Sequence, residues 1–204
     1  MKLISKQHLN IILFLFAFVL LFIQCKTTNA SGKVTVDINA KPFDKLSDYH
    51  FFKGDIKILV PNDRVLPYDL ITMLFTDYAH KSRFVWMPEG VSANYSKDEV
   101  LQFPEGTVLI KNFYYPHDFL DESKGRKIME TRLLVNRKNG WDNLTYVWND
   151  EQTDAELNIV GDSKPVEFTN LQGEHVSTIY GYPNKNQCKN CHNLNNAAMP
   201  IGTK

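Results

Sequence analysis

The residues Cys188-Lys189-Asn190-Cys191-His192 carry the most specific chemistry in this 204-residue chain. Two cysteines three positions apart, followed at once by a histidine, form the pattern at which a c-type haem is attached. The chemistry requires that spacing. Two thiols that add across the vinyl groups of one porphyrin must share a short turn, and the imidazole that follows is carried beneath the iron as its proximal ligand. The covalent bonds retain the group, and the protein tunes its iron. On this reading Cys188 and Cys191 hold one haem c, and His192 is its proximal iron ligand.

Three blander readings use the same residues. A redox dithiol usually opens a helix after a βα pattern, and none precedes Cys188. A structural zinc site needs four ligands, and there is no second Cys/His pair. A small disulfide in an exported protein would also use Cys188 and Cys191.

What lies on the iron's other face would decide the function, because a strong second ligand closes the metal to substrates and an open position admits them. Met199 stands seven residues past His192. Fully extended, that span reaches roughly 24 Å, enough to pass round a porphyrin edge, so Met199 is the candidate sixth ligand. A methionine in such a place more often packs as core. His80, His117 and His175 are the upstream alternatives, each more readily a surface or hydrogen-bonded loop residue. Lys111, in the middle of a strand-like run, reads as a solvated strand residue.

The N-terminus reads as a targeting segment. Lys2 and Lys6 precede an unbroken apolar run from Ile11 to Ile23, short for a membrane span of about 20 residues and suited to a signal-peptide core. Cys25 follows at once. Leu21-Phe22-Ile23-Gln24-Cys25 resembles the lipobox of bacterial lipoproteins, in which the peptidase cuts before a cysteine that then carries the lipid; Gln24 stands where a small residue is usual. An uncleaved anchor or cleavage near Ala30 are the alternatives, and all three put the domain outside the cytoplasm. Cysteine arithmetic agrees: of three cysteines, Cys25 goes to lipid and the other two to haem. Covalent haem attachment takes place on the side of the bacterial membrane to which the signal sends the chain.

Charge is balanced, with 23 basic and 23 acidic side chains. That removes any electrostatic argument for nucleic acid as a partner. A composition 43% hydrophobic and 12% aromatic is that of one ordinary globular domain with a real core. The expected organisation is a signal peptide over 1–24, a polar tether over 25–45 and a β-rich haem domain over 46–204, which can also be read as cut short at its C-terminus.

Within that domain, Ser47-Asp48 can cap a helical turn and Ile56 to Val60 reads as a strand. Pro67 to Lys81 reads as the main helix, with Leu66, Leu70, Leu74 and Tyr78 at four-residue spacing beside Ile71 and Phe75. Strands follow at Phe84 to Met87, Thr107 to Tyr115 and Lys127 to Arg137. Asn139-Gly140 predicts a tight hairpin with a return strand from Trp141 to Asn149, and weaker strands follow at Ala155 to Val160 and Val176 to Tyr182. The fold class expected is α+β: a mostly antiparallel β-sheet with one main helix and a C-terminal haem-attachment motif. The aromatic residues Phe113, Tyr114, Tyr115, Trp141, Tyr146 and Trp148 read as sheet core, and Asp77, Asp150, Glu151 and Asp154 as surface charges rather than paired catalytic carboxylates.

The stretches LSDYHFF (Leu46 to Phe52), PYDLITMLFTDYAHKSRFVWMPEG (Pro67 to Gly90), FPEGTVLIKNFYYP (Phe103 to Pro116), ETRLLVNRKNGWDNLTYVWNDEQTDA (Glu130 to Ala155), CKNCH (Cys188 to His192) and PIGTK (Pro200 to Lys204) resemble a family of bacterial exported proteins described as di-haem c-type cytochromes. Longer members carry a second haem motif after the PIG-x-K stretch; this sequence contains only the first. A looser resemblance links PEGTVLIKNFYY, RLLV, NGW and the late CxxCH to β-sheet cytochromes of the c′-beta type and their hydroxylamine-oxidising relatives, in which the haem lies against an antiparallel sheet. The resemblances imply a lipid-anchored cytochrome c of the bacterial cell envelope, facing the periplasm, that exchanges electrons with a redox partner protein. They imply as an alternative a haem oxidoreductase or gas-binding protein whose open iron takes small molecules such as nitric oxide or hydroxylamine. The remaining alternative is a β-rich lipoprotein with a CxxC disulfide and no haem.

Overall fold

The computed structural model describes residues 32–72, 75–194, 197–200 and 202–203. The signal segment 1–24 and the lipidation candidate Cys25 lie outside the described residues. Among the described residues no helix is long and apolar enough to cross a membrane.

Six strands form an antiparallel meander in sequence order: β1 (Val65–Pro67), β2 (His80–Trp86), β3 (Val108–Pro116), β4 (Arg126–Arg137), β5 (Gly140–Trp148) and β6 (Ala155–Leu157). A separate hairpin, β7 (Asp162–Thr169) with β8 (His175–Tyr182), leads into the short helix α1 (Lys185–Cys191). A two-residue ladder, β9 (Asn193–Leu194) with β10 (Ala197–Ala198), follows it.

Strand register assigns side chains to faces, because residues directly opposite in an antiparallel pair share a face and successive residues alternate. One face carries Phe84, Val108, Ile110, Leu133, Val135, Leu144, Tyr146 and Trp148, all buried in one apolar cluster. Leu46, Tyr49, Phe51 and Phe52 close this cluster from the other side. The second face bears Arg83, Lys111, Arg132 and Thr145 in one row across β2, β3, β4 and β5. At one end of that face Phe113, Tyr115 and Met129 pack with Val166, Phe168, Tyr180 and Tyr182 of the β7–β8 hairpin. A register shift at Phe113/Tyr114 sets Met129 opposite no partner and reverses the alternation beyond it, so that Ile128 joins the apolar cluster of Leu133 and Met129 joins the cluster of Phe113.

The fold is therefore the expected antiparallel sheet, but the expected main helix over Pro67 to Lys81 does not form. Leu66 and Pro67 pair with Val85 and Phe84 in β1–β2. The Tyr68 N–H donates to the Arg83 carbonyl, and Asp77 and Tyr78 take positive φ values of 42° and 64° that no α-helix continues through. The apolar stripe stays outside: Ile71, Phe75 and Tyr78 are all exposed. Strand pairing overrode a helical period that had nothing to pack against. The one α-helix among the described residues is α1, at the cysteine motif.

Three smaller corrections follow. The polar tether does not extend to residue 45, since Val34, Val36, Ile38 and Phe43 pack on the apolar cluster and the Thr35 N–H donates to the Tyr49 carbonyl; the folded unit runs from Ser31 to Lys204. Ile56–Ile58 is a 3-10 turn capped by Asp55 rather than a strand. The hairpin glycine is one position late. Arg137 pairs with Gly140, so Lys138-Asn139 make the turn, and Gly140 at φ 101° takes the left-handed step after it.

Candidate functional site

Helix α1 is set by local sequence. The Asn184 side chain accepts from the N–H groups of Asn186 and Gln187, and the Gln187 side chain accepts from the Asn184 N–H at 2.8 Å. This reciprocal cap starts a helix that has only seven residues. Lys185 ties it to the sheet through Asp142 at 2.7 Å. Cys188 lies mid-helix, Cys191 ends it and His192 is its C-cap, where the His192 N–H donates to the Cys188 carbonyl at 3.1 Å. Cys188 and His192 are thus one turn apart on one side of the helix.

Cys188 is buried and its thiol is not in a disulfide. The His192 imidazole has its Nδ1 buried without a hydrogen-bond partner. Burial and then the positive charge of Lys111 lower its pKa, against a hydrogen bond to the Met199 backbone that raises it. The ring is therefore neutral at neutral pH, the form in which imidazole ligates a metal. The Met199 N–H donates to the His192 carbonyl at 3.1 Å, so the chain turns back beside His192.

The influence of Lys111 on His192 brings the sheet's second face into the site. Lys111 was expected in solvent. Instead it is partly buried between Arg83 and Arg132, directly opposite both. Burial first, and then the charges of Arg132, Arg83 and Lys81, push its pKa down to about 8. The Arg132 guanidinium is engaged by both oxygens of Glu130, a fully buried carboxylate that also accepts from the Tyr180 hydroxyl. Burial alone would lower the pKa of Arg132; the Glu130 contacts raise it. Arg83 is 3% exposed, and its Nε and Nη1 have no hydrogen-bond partner.

The other candidates lie elsewhere. His80 faces Glu122 at 3.6 Å and the rings of Tyr114 and Phe119. The His117 N–H donates to the Gly125 carbonyl. His175 is exposed at the start of β8, 3.9 Å from Glu167. Asp154 serves the fold, accepting from the Ser47 N–H and hydroxyl.

Among the described residues no group of three or more His, Cys, Asp or Glu side chains could hold a bare metal ion. An iron held by a porphyrin and one imidazole needs no such group. The donor set present fits such a group: a buried free thiol, a neutral histidine one helical turn away and an unpartnered ring nitrogen. Sequence reasoning missed Arg83 and Arg132. The signal was available, since both are cations at the centre of β-forming runs, KSRFVW and ETRLLV, where one of two faces must be covered.

No family model, no curated protein and no solved structure matches this chain.

Proposed function

We infer that this chain is a c-type cytochrome of the bacterial cell envelope, lipid-anchored at Cys25, with one haem held by Cys188 and Cys191 and its iron by His192, and that it passes electrons to a redox partner protein. The observation that carries the reading is Cys-x-x-Cys-His on a capped turn of helix laid on a sheet, with the Cys188 thiol free and a nitrogen of His192 unpartnered. When bound, the haem would supply one-electron chemistry at its iron. The chain's own part is to fix the His192 backbone through the Cys188 carbonyl and the Met199 N–H, and to keep the imidazole neutral by burial and the nearby Lys111 charge.

A second reading, a haem protein with an open iron that binds or oxidises small molecules, is favoured by one observation. The sheet face close to His192 presents Lys111 and Arg132, while His80, His117 and His175 have their partners away from α1. Met199 is then the remaining candidate for a second ligand.

An absorption spectrum of the mature protein, made with a haem c maturation system, tests both. Covalent haem with reduced bands that carbon monoxide leaves unchanged supports the electron carrier. Bands that move with carbon monoxide support the open iron. A folded protein without haem sinks both and leaves the CxxC disulfide.

A further inference from the structure

The guanidinium of Arg83 sits in a place where a charge should not rest. It is 3% exposed, yet Nε and Nη1 donate to nothing. Its nearest carboxylate is Asp69, whose Oδ1 is 3.8 Å from Nη1, beyond hydrogen-bond length, and whose side chain is 88% exposed. A buried charge with unmade hydrogen bonds is among the costliest features a fold can carry. The neighbours make it worse. Lys111 stands directly opposite on β3, its ammonium 4.8 Å from the centre of the Phe113 ring. Arg132 stands opposite Lys111 on β4. The one buried carboxylate nearby, Glu130, is committed to Arg132 and Tyr180. On the same face, two residues along β5 from Thr145, the Nδ2 of buried Asn143 also donates to nothing. Adjacent strands lie about 4.8 Å apart, so the Arg83 and Lys111 side chains rise side by side.

We propose that Arg83 and Lys111 form a carboxylate-binding site on the sheet face beside His192. A carboxylate there supplies the two acceptor oxygens that a guanidinium fork is shaped for, with the ammonium as a second, less directional partner. It also relieves the repulsion along the row. The chemistry has two sources: a free organic carboxylate, or the propionate side chains of a haem attached at Cys188 and Cys191. The site goes beyond the haem reading and does not depend on it.

The test is a titration of the full chain, prepared first without haem attachment, with sodium acetate at constant ionic strength. Backbone amide shifts at Arg83 and Lys111 are followed by nuclear magnetic resonance. The expected result is a saturable shift at both positions, weakened about tenfold or more in Arg83→Gln and in Lys111→Gln. Arg83→Lys should show a smaller loss, because it keeps the charge and loses the fork. Lys53→Gln, at an exposed pair with Asp63, should show none. If Arg83→Gln does not fold, Lys111→Gln carries the comparison. No saturable shift, or one indifferent to both substitutions, overturns the proposal. The same titration on haem-loaded protein identifies the source: acetate binding that vanishes on loading points to the propionates, and binding that persists points to a free carboxylate. A chain that takes up no haem would sink the cytochrome reading and leave the acetate result standing.

Discussion

Ile110 and Lys111 are neighbours on β3 and belong to two different environments. Ile110 points into a face whose centre is a buried apolar and aromatic cluster. The polar groups on that face are satisfied: Trp148 Nε1 donates to Thr131, Thr131 donates to Asn112, and the Tyr49 and Tyr146 hydroxyls share a hydrogen bond. Lys111 points the other way, into a row of cations where Arg83 is left with unmade bonds. The first face obeys the rules of packing. The second breaks them beside the cysteine motif, and rule-breaking of this kind concentrates at functional sites. The difference teaches where to look: one face stabilises the domain, and the other is held in place by that stability.

The largest effect should come from the one ion pair that keeps the second face tolerable. Glu130→Leu leaves the partly buried Arg132 charge unpaired beside Lys111 and the Tyr180 hydroxyl without its acceptor, and should destabilise by about 3 kcal/mol in urea unfolding. Adding Arg132→Met should recover most of the loss. If the double variant is no better than the single one, Glu130 is holding packing rather than charge. Next comes the pair of neighbours. Ile110→Ala should cost about 2–5 kcal/mol through the cavity it opens. Lys111→Met should stabilise the haem-free chain, by on the order of 1–3 kcal/mol, since it removes a desolvated cation from between two others. A loss in both variants would erase the contrast between the faces.

The same lysine predicts a pH dependence. Its folded pKa of about 8 lies below its ordinary value of 10.5. Between those values the unfolded chain holds the proton and the folded chain has released it, so stability rises with pH across that window and is lowest below it. Buried tyrosines work in the opposite sense at higher pH. Tyr115 is pushed up to about 12 by burial, so its contribution is lost once unfolded tyrosine ionises near 10. The urea midpoint of the haem-free chain should therefore climb between pH 7.5 and about 9.5, and Lys111→Met should flatten the climb. A slope unchanged by that substitution would mean that Lys111 is solvated after all.

How legible the molecule was follows from the same two faces. The alternation of Leu144, Tyr146 and Trp148 announced both a strand and its buried side, because an apolar face with period two has one interpretation. CKNCH was legible because its chemistry depends on local spacing. The stretch after Pro67 misled because an apolar period of four says only that a helix would be amphipathic. Whether anything covers its apolar stripe is a tertiary fact, and Ile71, Phe75 and Tyr78 are left exposed. Val34, Val36 and Ile38 alternate too, but three apolar residues among polar neighbours do not distinguish a packed segment from a tether. Lys111 was illegible for a deeper reason. A cation in a strand normally marks the wet side, and only the path of the chain after Tyr182 brings α1 over to that side.

The smallest effect sharpens the comparison most locally. Helix α1 has seven residues, too few to stand by propensity, since isolated helices under about 12 residues are marginal in water. Its order comes from the Asn184–Gln187 box, the Lys185–Asp142 contact and the burial of Cys188. Asn184→Ala removes two accepted hydrogen bonds and should cost about 1 kcal/mol. That loss should fall on α1 and leave the apolar face untouched. Hydrogen exchange can divide the two. Amides of Cys188 and His192, which bond to the Asn184 and Cys188 carbonyls, should exchange about five times faster in the variant, whereas those of Ile110 and Leu133 should change only by the small drop in global stability. Uniform acceleration across all four would mean that α1 and the sheet open as one unit. The cysteine motif would then be held by the whole domain and not by its own cap.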